Sequence, residues 1–190
     1  MRRQLAPAVI VFLCFTLLVG VLYPLAVTAA AQLAFGDRAN GSLVRREGVV
    51  IGSSLLGQAF TGARWFHPRP SAAGDGYDGT ASGASNLGPT NPRLVRDVRG
   101  RAVAYRRENG LRTGAPVPVD AVTASGSGLD PDISPANARL QAPRVAGARG
   151  LPLALVRALV RESTHGRTLG FMGEPRVDVL ALNLALDAAR

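Results

Sequence analysis

From Leu5 to Leu33 the chain is almost wholly apolar, broken only by Thr16, Thr28 and Gln32. Nothing else in the sequence restricts its fold as strongly. About 20 helical residues cross a bilayer core, and in lipid a helix satisfies all of its own backbone groups. The run is therefore expected to form one membrane-spanning helix that continues outward by a few turns. Pro7 suits a first helical turn, where its missing N–H is not needed. Tyr23 falls near the far interface, where amphipathic aromatics are comfortable, and Pro24 is placed to kink the helix. The competing reading is a secretory signal peptide. Arg2 and Arg3 would then be the charged start, and Ala29, Ala30 and Ala31 the small-residue cleavage pattern. The apolar part of such a peptide is typically only ~7–15 residues, so the length favours an uncleaved anchor. Both readings keep the N-terminus in the cytoplasm through Arg2 and Arg3 and place everything after Phe35 outside.

With 190 residues, an anchor leaves room for one modest domain. The expected organisation is residues 1–35 as cytoplasmic N-terminus and single transmembrane helix, then residues 36–190 as one extracytoplasmic domain. A domain of that size buries enough surface to fold without staples. The single cysteine, Cys14, lies inside the apolar run, so the outer part has no intrachain disulfide and no thiolate metal site. All 22 basic residues are arginine. Without lysine there is no Walker A phosphate loop, no Ser-x-x-Lys hydrolase and no Schiff-base chemistry. The net charge of +9 comes from dispersed arginines with no nucleic-acid motif, so no nucleic-acid partner is expected.

The outer part reads as α+β, mainly helical, with a small β-element. Residues 42–51 resemble a hairpin around Glu47-Gly48. Asn91-Pro92 reads as a helix cap and first turn, opening a helix to Asn109 that Gly110 stops. Its apolar face is Leu94, Val95, Val98, Ala102 and Tyr105, and its arginine face reads as solvated. Ser134-Pro135 opens a second helix to about Ala148, and Pro152 a third that ends at Gly166. The last, Val177 to Ala189, is apolar on two sides and belongs in a core or against a partner. Between these lies a Gly-, Ser-, Asn- and Pro-rich tract, 67–92, headed by Trp65 and Phe66. A loop that long inside a compact domain is usually functional or disordered.

Few residues offer chemistry. His67 and His165 have no second histidine or cysteine nearby, so no transition-metal motif is present; His165 reads as a cation at a helix end. The nucleophile-elbow pattern Gly-x-Ser-x-Gly is missing. A spatial Ser-His-Asp set remains the alternative, which would make the chain a membrane-anchored or secreted serine hydrolase. Asp75 and Asp78 lack the spacing of a calcium loop and read as turn residues. Ser125, Ser127 and Asp130 offer either an anion-binding nest around Gly126 and Gly128 or a locked turn. No catalytic residue, metal or resident cofactor is assigned.

Several short motifs, in order and at compatible spacing, carry a resemblance. They are "YPLAVT" (Tyr23 to Thr28), "GSSLLGQAF" (Gly52 to Phe60), and Trp65-Phe66 with Arg69-Pro70-Ser71-Ala72. Tyr77-Asp78, Ala84-Ser85-Asn86, Gly88-Pro89 and Asn91 follow. "ASGSGLDPDIS" (Ala124 to Ser134), Gln141, Arg144-Val145-Ala146 and "GEPRVDVLALNLALD" (Gly173 to Asp187) complete the set. Together they resemble the KdpC family, the C subunit of the ATP-driven Kdp potassium transport complex of bacteria, over the whole chain. The resemblance implies a non-catalytic subunit of the inner membrane, needed for assembly and activity. Its implied partners are a potassium-channel-like subunit, a P-type ATPase subunit that hydrolyses ATP, and a small single-span subunit. It also implies a proposed chaperone role that raises the ATP affinity of the ATPase subunit, with ATP met only within the complex. Two positions depart from the family pattern. Asp132 stands where another polar residue is frequent. Asp178 stands where Asn is usual, and is expected to put a charge into a buried helix that an arginine would have to pair. Trp65, Phe66, Arg69, Tyr77 and Asn86 are the candidates for docking on a partner; the equal alternative is that they pin the tract to its own domain.

Overall fold

A computed structural model describes residues 2–189; the side chain of Arg2, which the orientation argument uses, lies outside the described residues. The chain divides into two compact units that meet, in sequence, between Ser53 and Ser54.

The first unit begins with α1 (Arg2–Leu17), a π-turn (Leu18–Leu22) and α2 (Tyr23–Ala39). Residues Arg3–Ala39 are long and apolar enough to cross a membrane. The π-turn has a local cause. Pro24 has no N–H, and its ring would collide with the carbonyl four residues back. The turn before it is widened, so that the Tyr23 N–H reaches the Leu18 carbonyl five residues back. Pro24 is thus accommodated by a widened turn rather than by an ordinary α-helical one. The helix loses regularity later, at Phe35 (φ −141°, ψ 42°). Across it, Gln32 and Asn40 exchange hydrogen bonds through their amides at 3.1 and 3.2 Å. The expected hairpin follows as β1 (Leu43–Arg46) and β2 (Val49–Ser53), antiparallel. Its two-residue turn, Glu47-Gly48, has φ of 51° and 82°, the left-handed pair that matches the twist of the flanking strands.

The second unit contains α3 (Pro92–Glu108), β3 (Asp132–Ile133), α4 (Pro135–Arg149), α5 (Leu153–Glu162), β4 (Thr164–His165), β5 (Arg176–Asp178) and α6 (Val179–Ala188). The caps read from sequence are formed. Asn91 Oδ1 accepts from the Arg93 N–H at 2.9 Å, and Ser134 Oγ from the Asn137 N–H at 3.1 Å. Two expectations shift. The third helix stops at Glu162 rather than Gly166, because Thr164 and His165 leave it to pair with β5. His165 therefore sits on a strand, not at a helix end. The last helix starts two residues late for the same reason. β5 is the centre of a three-stranded antiparallel sheet, β3-β5-β4, with Val177 opposite both Ile133 and Thr164.

Asp178 is also relocated. It does not lie within a buried helix; it is the residue before α6, and its carboxylate accepts the Ala181 N–H at 2.8 Å. A negative charge there meets free N–H groups and the positive helix end, so no arginine is required. Asp178→Ala is expected to cost about 1 kcal/mol, and Asp178→Asn a few tenths, in thermal unfolding followed by Trp65 fluorescence.

One core joins the helices and sheet. Val145 and Ala146 from α4, Val156 and Val160 from α5, Leu182 and Leu186 from α6, and Ile133 and Val177 from the sheet are buried together. Phe66 joins them at 0% exposure, although it lies in a segment without regular structure. Burying a side chain of that size contributes about 2–3 kcal/mol, which ties the start of the long tract to the core.

Candidate functional site

The long tract is ordered by contacts with one other irregular segment, 124–130. Arg69 Nη1 donates to Asp130 Oδ2 at 2.8 Å, and Nη2 to the Ala124 carbonyl at 3.4 Å. Ser71 Oγ donates to the Gly128 carbonyl at 2.6 Å and accepts from the Ala73 and Tyr77 N–H groups. The Tyr77 hydroxyl donates to the Arg69 carbonyl at 2.6 Å, and burial pushes its pKa up to about 12. Further along, the Gly83 N–H and the Ser82 hydroxyl both donate to the Ser127 carbonyl. Two loops without ladders thus satisfy part of each other's backbone hydrogen bonding.

Two glycines permit the approach. Gly128 has φ of 69°, and a Cβ on it would lie 2.6 Å from the Ala73 nitrogen and 2.7 Å from the Gly83 oxygen. A Cβ on Gly57 would lie 2.6 Å from the Asp130 carbonyl oxygen, and the Gly57 N–H donates to the Leu129 carbonyl at 2.7 Å.

Buried amides hold the head of the tract to the helices. Asn183 on α6 accepts the Phe66 N–H at 2.9 Å and donates to the Phe66 carbonyl at 3.0 Å. Gln141 on α4 does the same for His67, at 2.7 and 3.0 Å. Each amide imitates a neighbouring strand. Arg144 gathers what is left. Its Nη1 donates to the carbonyls of Ala63 and Trp65, at 2.8 and 2.9 Å; Nη2 donates to Gln141 Oε1 and Nε to Asn109 Oδ1. The Arg149 guanidinium lies 4.5 Å from the Trp65 ring centroid and pairs with Asp187 at 3.0 Å.

The residues singled out from sequence now have places. Phe66 is in the core, Trp65 is half-buried under Arg149, and Arg69 and Tyr77 belong to the loop–loop junction with Asp130. Ser127 Oγ accepts the Leu129 N–H and Asp130 Oδ1 the Asp132 N–H, while Ser125 is buried 3.4 Å from Ser127. Asn86 stands apart, exposed at φ 51°. Asp78 accepts from the N–H and hydroxyl of Thr80 within a turn. The arginine face of α3 is not wholly solvated, since Arg101 and Arg106 donate to the carbonyls of Val122 and Ala115. Beside the junction a cleft of about 340 Å³ is lined by His67, Tyr77, Arg101, Tyr105 and Glu108 among others.

The family profile KdpC, described as "K+-transporting ATPase, c chain", matches residues 5–188. A protein of Mycobacterium bovis (strain BCG / Pasteur 1173P2), named potassium-transporting ATPase KdpC subunit, is 60% identical over 187 residues, covering 98% of this chain and 99% of its own. Relatives of the same name from Rhodospirillum rubrum (60%, covering 98% of this chain and 96% of theirs) and Caulobacter vibrioides (57%, covering 99% and 94%) are similar throughout. The chain belongs to the KdpC family.

The motifs by which a KdpC chain is recognised are scattered in sequence and gathered in space. Gly57, Arg69, Ser71, Gly128 and Asp130 form the loop–loop junction, and Gln141, Arg144 and Asn183 form the clamps. The sequence singled out none of these last three for a role, although Gln141, Arg144 and the run containing Asn183 helped carry the resemblance. For Asn183 the signal was an amide on a helix face that is otherwise apolar; Gln141 shares its buried face with Asn137, one turn earlier. The serine-hydrolase alternative is not supported. Relatives matching over the whole length are named as subunits of a potassium-transporting ATPase, and the His67 ring faces the Gly62 carbonyl at 2.9 Å and Glu108 at 3.0 Å, not a serine hydroxyl.

Asp132, the other departure, faces Arg176 at 2.7 Å. Burial raises its pKa more than Arg176 lowers it, and Asp130 and Asp178 raise it further. With the folded pKa above the unfolded one, the folded state holds the proton longer, and stability falls as pH rises through the interval between the two. Asp132→Asn is therefore expected to raise the melting temperature at about pH 7 and to lose that advantage by about pH 3. Paired melts of the two proteins check this.

Proposed function

We propose that this chain is the C subunit of an ATP-driven potassium-transporting complex, held in the bacterial inner membrane by its N-terminal helix. Its outer domain lies outside the cytoplasm and docks on the ion-carrying, channel-like subunit, next to the P-type ATPase subunit and a small single-span subunit. ATP is hydrolysed in the partner. The observation that carries this is the extent of the family match, which takes in both the apolar helix and the outer domain. The loop–loop junction and the amide clamps support a domain whose irregular surface is rigid before it meets a partner, which lowers the entropy lost on docking.

Co-expression with the tagged ATPase and channel-like subunits tests the assignment. The chain should co-purify with them in mild detergent, and omitting it should abolish most potassium-stimulated ATP hydrolysis. Full turnover without it would overturn the proposal. The chaperone role implied by the resemblance is read in the same preparation, as an increase in the KM for ATP when the chain is absent. A reporter active only outside the cytoplasm, fused after Arg190, should be active; a silent one would overturn the orientation.

A further inference from the structure

Residues 167–174 form a small closed hairpin whose tip is apolar. Thr168 and Met172 exchange backbone hydrogen bonds, both at 2.9 Å, and Arg167 pairs with Glu174 through both carboxylate oxygens at 2.9 and 3.0 Å. Leu169 is held in the left-handed region at φ 54°. The tip presents Leu169, Phe171 and Met172 at 78%, 71% and 52% exposure, a large apolar group to leave in water on a rigid support. At the foot of the hairpin, ending at Gly166, lies a groove of about 520 Å³. Arg139, Arg157 and Arg161 border it, over a floor that includes Pro135 and Val160. Among the described residues Arg157 and Arg161 have no hydrogen-bond or ion-pair partner, and Arg139 makes only a bond from Nε to the Pro135 carbonyl.

We propose that this hairpin and groove together form the surface by which the outer domain grips the ion-carrying subunit, and that the partner offers an apolar socket beside protruding carboxylates. The proposal rests on the docking role given above and names its residues. Phenylalanine, methionine and arginine are the side chains enriched at protein interfaces. The uncompensated guanidinium groups set the charge of the occupant, since planar forks match carboxylates bidentately. A protein suits the site better than a lipid surface for two reasons. The arginines border a concavity that receives a protruding group, and Glu174, 79% exposed at the base of the tip, would face an anionic headgroup layer unfavourably.

The test uses the whole complex. A photoreactive phenylalanine analogue is placed at position 171, and the retention of Phe171→Asp and of the pair Arg157→Glu, Arg161→Glu is compared with wild type. All three positions are exposed, and unchanged melting of each variant checks that the fold is intact. The expected results are a cross-link from position 171 into the channel-like subunit and retention weakened about 30-fold for each variant. A cross-link to lipid, a cross-link to another polypeptide, or no adduct together with wild-type retention would each overturn the proposal. Because wild-type co-purification is measured in parallel, failure of the docking role itself is seen separately, as loss of the wild-type chain from the complex.

Discussion

Gly128→Ala is expected to remove the second unit's cooperative unfolding transition, at a cost on the order of 4 kcal/mol. Two costs add at one carbon atom. A side chain at φ 69° is strained by about 1–2 kcal/mol. The new Cβ also lies 2.6 and 2.7 Å from backbone atoms of Ala73 and Gly83, and neither can retreat. Ala73 is buried, with its N–H held by Ser71, and the Gly83 N–H is held by the Ser127 carbonyl. Opening the junction would strand Arg69 and Asp130 as well. Gly126→Ala is the internal control. Its Cβ would meet nothing within 4 Å, so its effect should stay within about 0.5 kcal/mol. Thermal melts of the full chain in detergent, followed by Trp65 fluorescence, separate the two. Equal melting of both variants would show that the two loops are not joined as described.

Asn183→Leu is expected to cost about 3 kcal/mol. The replacement is of similar size and apolar, so the loss is not one of volume. It leaves the Phe66 N–H and carbonyl without partners in a place water does not reach, and each such group costs about 1–3 kcal/mol. Hydrogen exchange reports the mechanism directly. Protection of the Phe66 amide should fall about a hundredfold, while amides in α3 change no more than the global loss of stability requires. Undiminished protection at Phe66 would mean that another group holds that backbone.

These two sites also show what sequence could and could not convey. The helices were legible because their ends are written locally: Asn91 before Pro92 and Ser134 before Pro135 each place a cap next to a proline that tolerates the first turn. The hairpin at Glu47-Gly48 was legible because two adjacent left-handed residues demand a small set of side chains. The three-stranded sheet was not. Its strands are two or three residues long, too short to show an alternation, and β5 runs straight into α6, so a helical pattern was read through the boundary. That misreading also put Asp178 inside a helix instead of at its head. Of the site, Arg69 and Asp130 were each singled out, but in separate sets, and nothing local says that they meet. The amide clamps were less legible still. An asparagine on an apolar helix signals an unmet need, but not that the need is the backbone of a residue 117 positions away.

The widened turn at Leu18–Leu22 has a consequence for any helix that lies alongside. Admitting the equivalent of one extra residue rotates everything beyond it by roughly 100° about the axis. Side chains that would have formed one stripe from Val9 to Val27 are split into two, facing different directions about the axis. A neighbour that follows the first stripe parts from the second, so the two halves of this rod are built to meet different company.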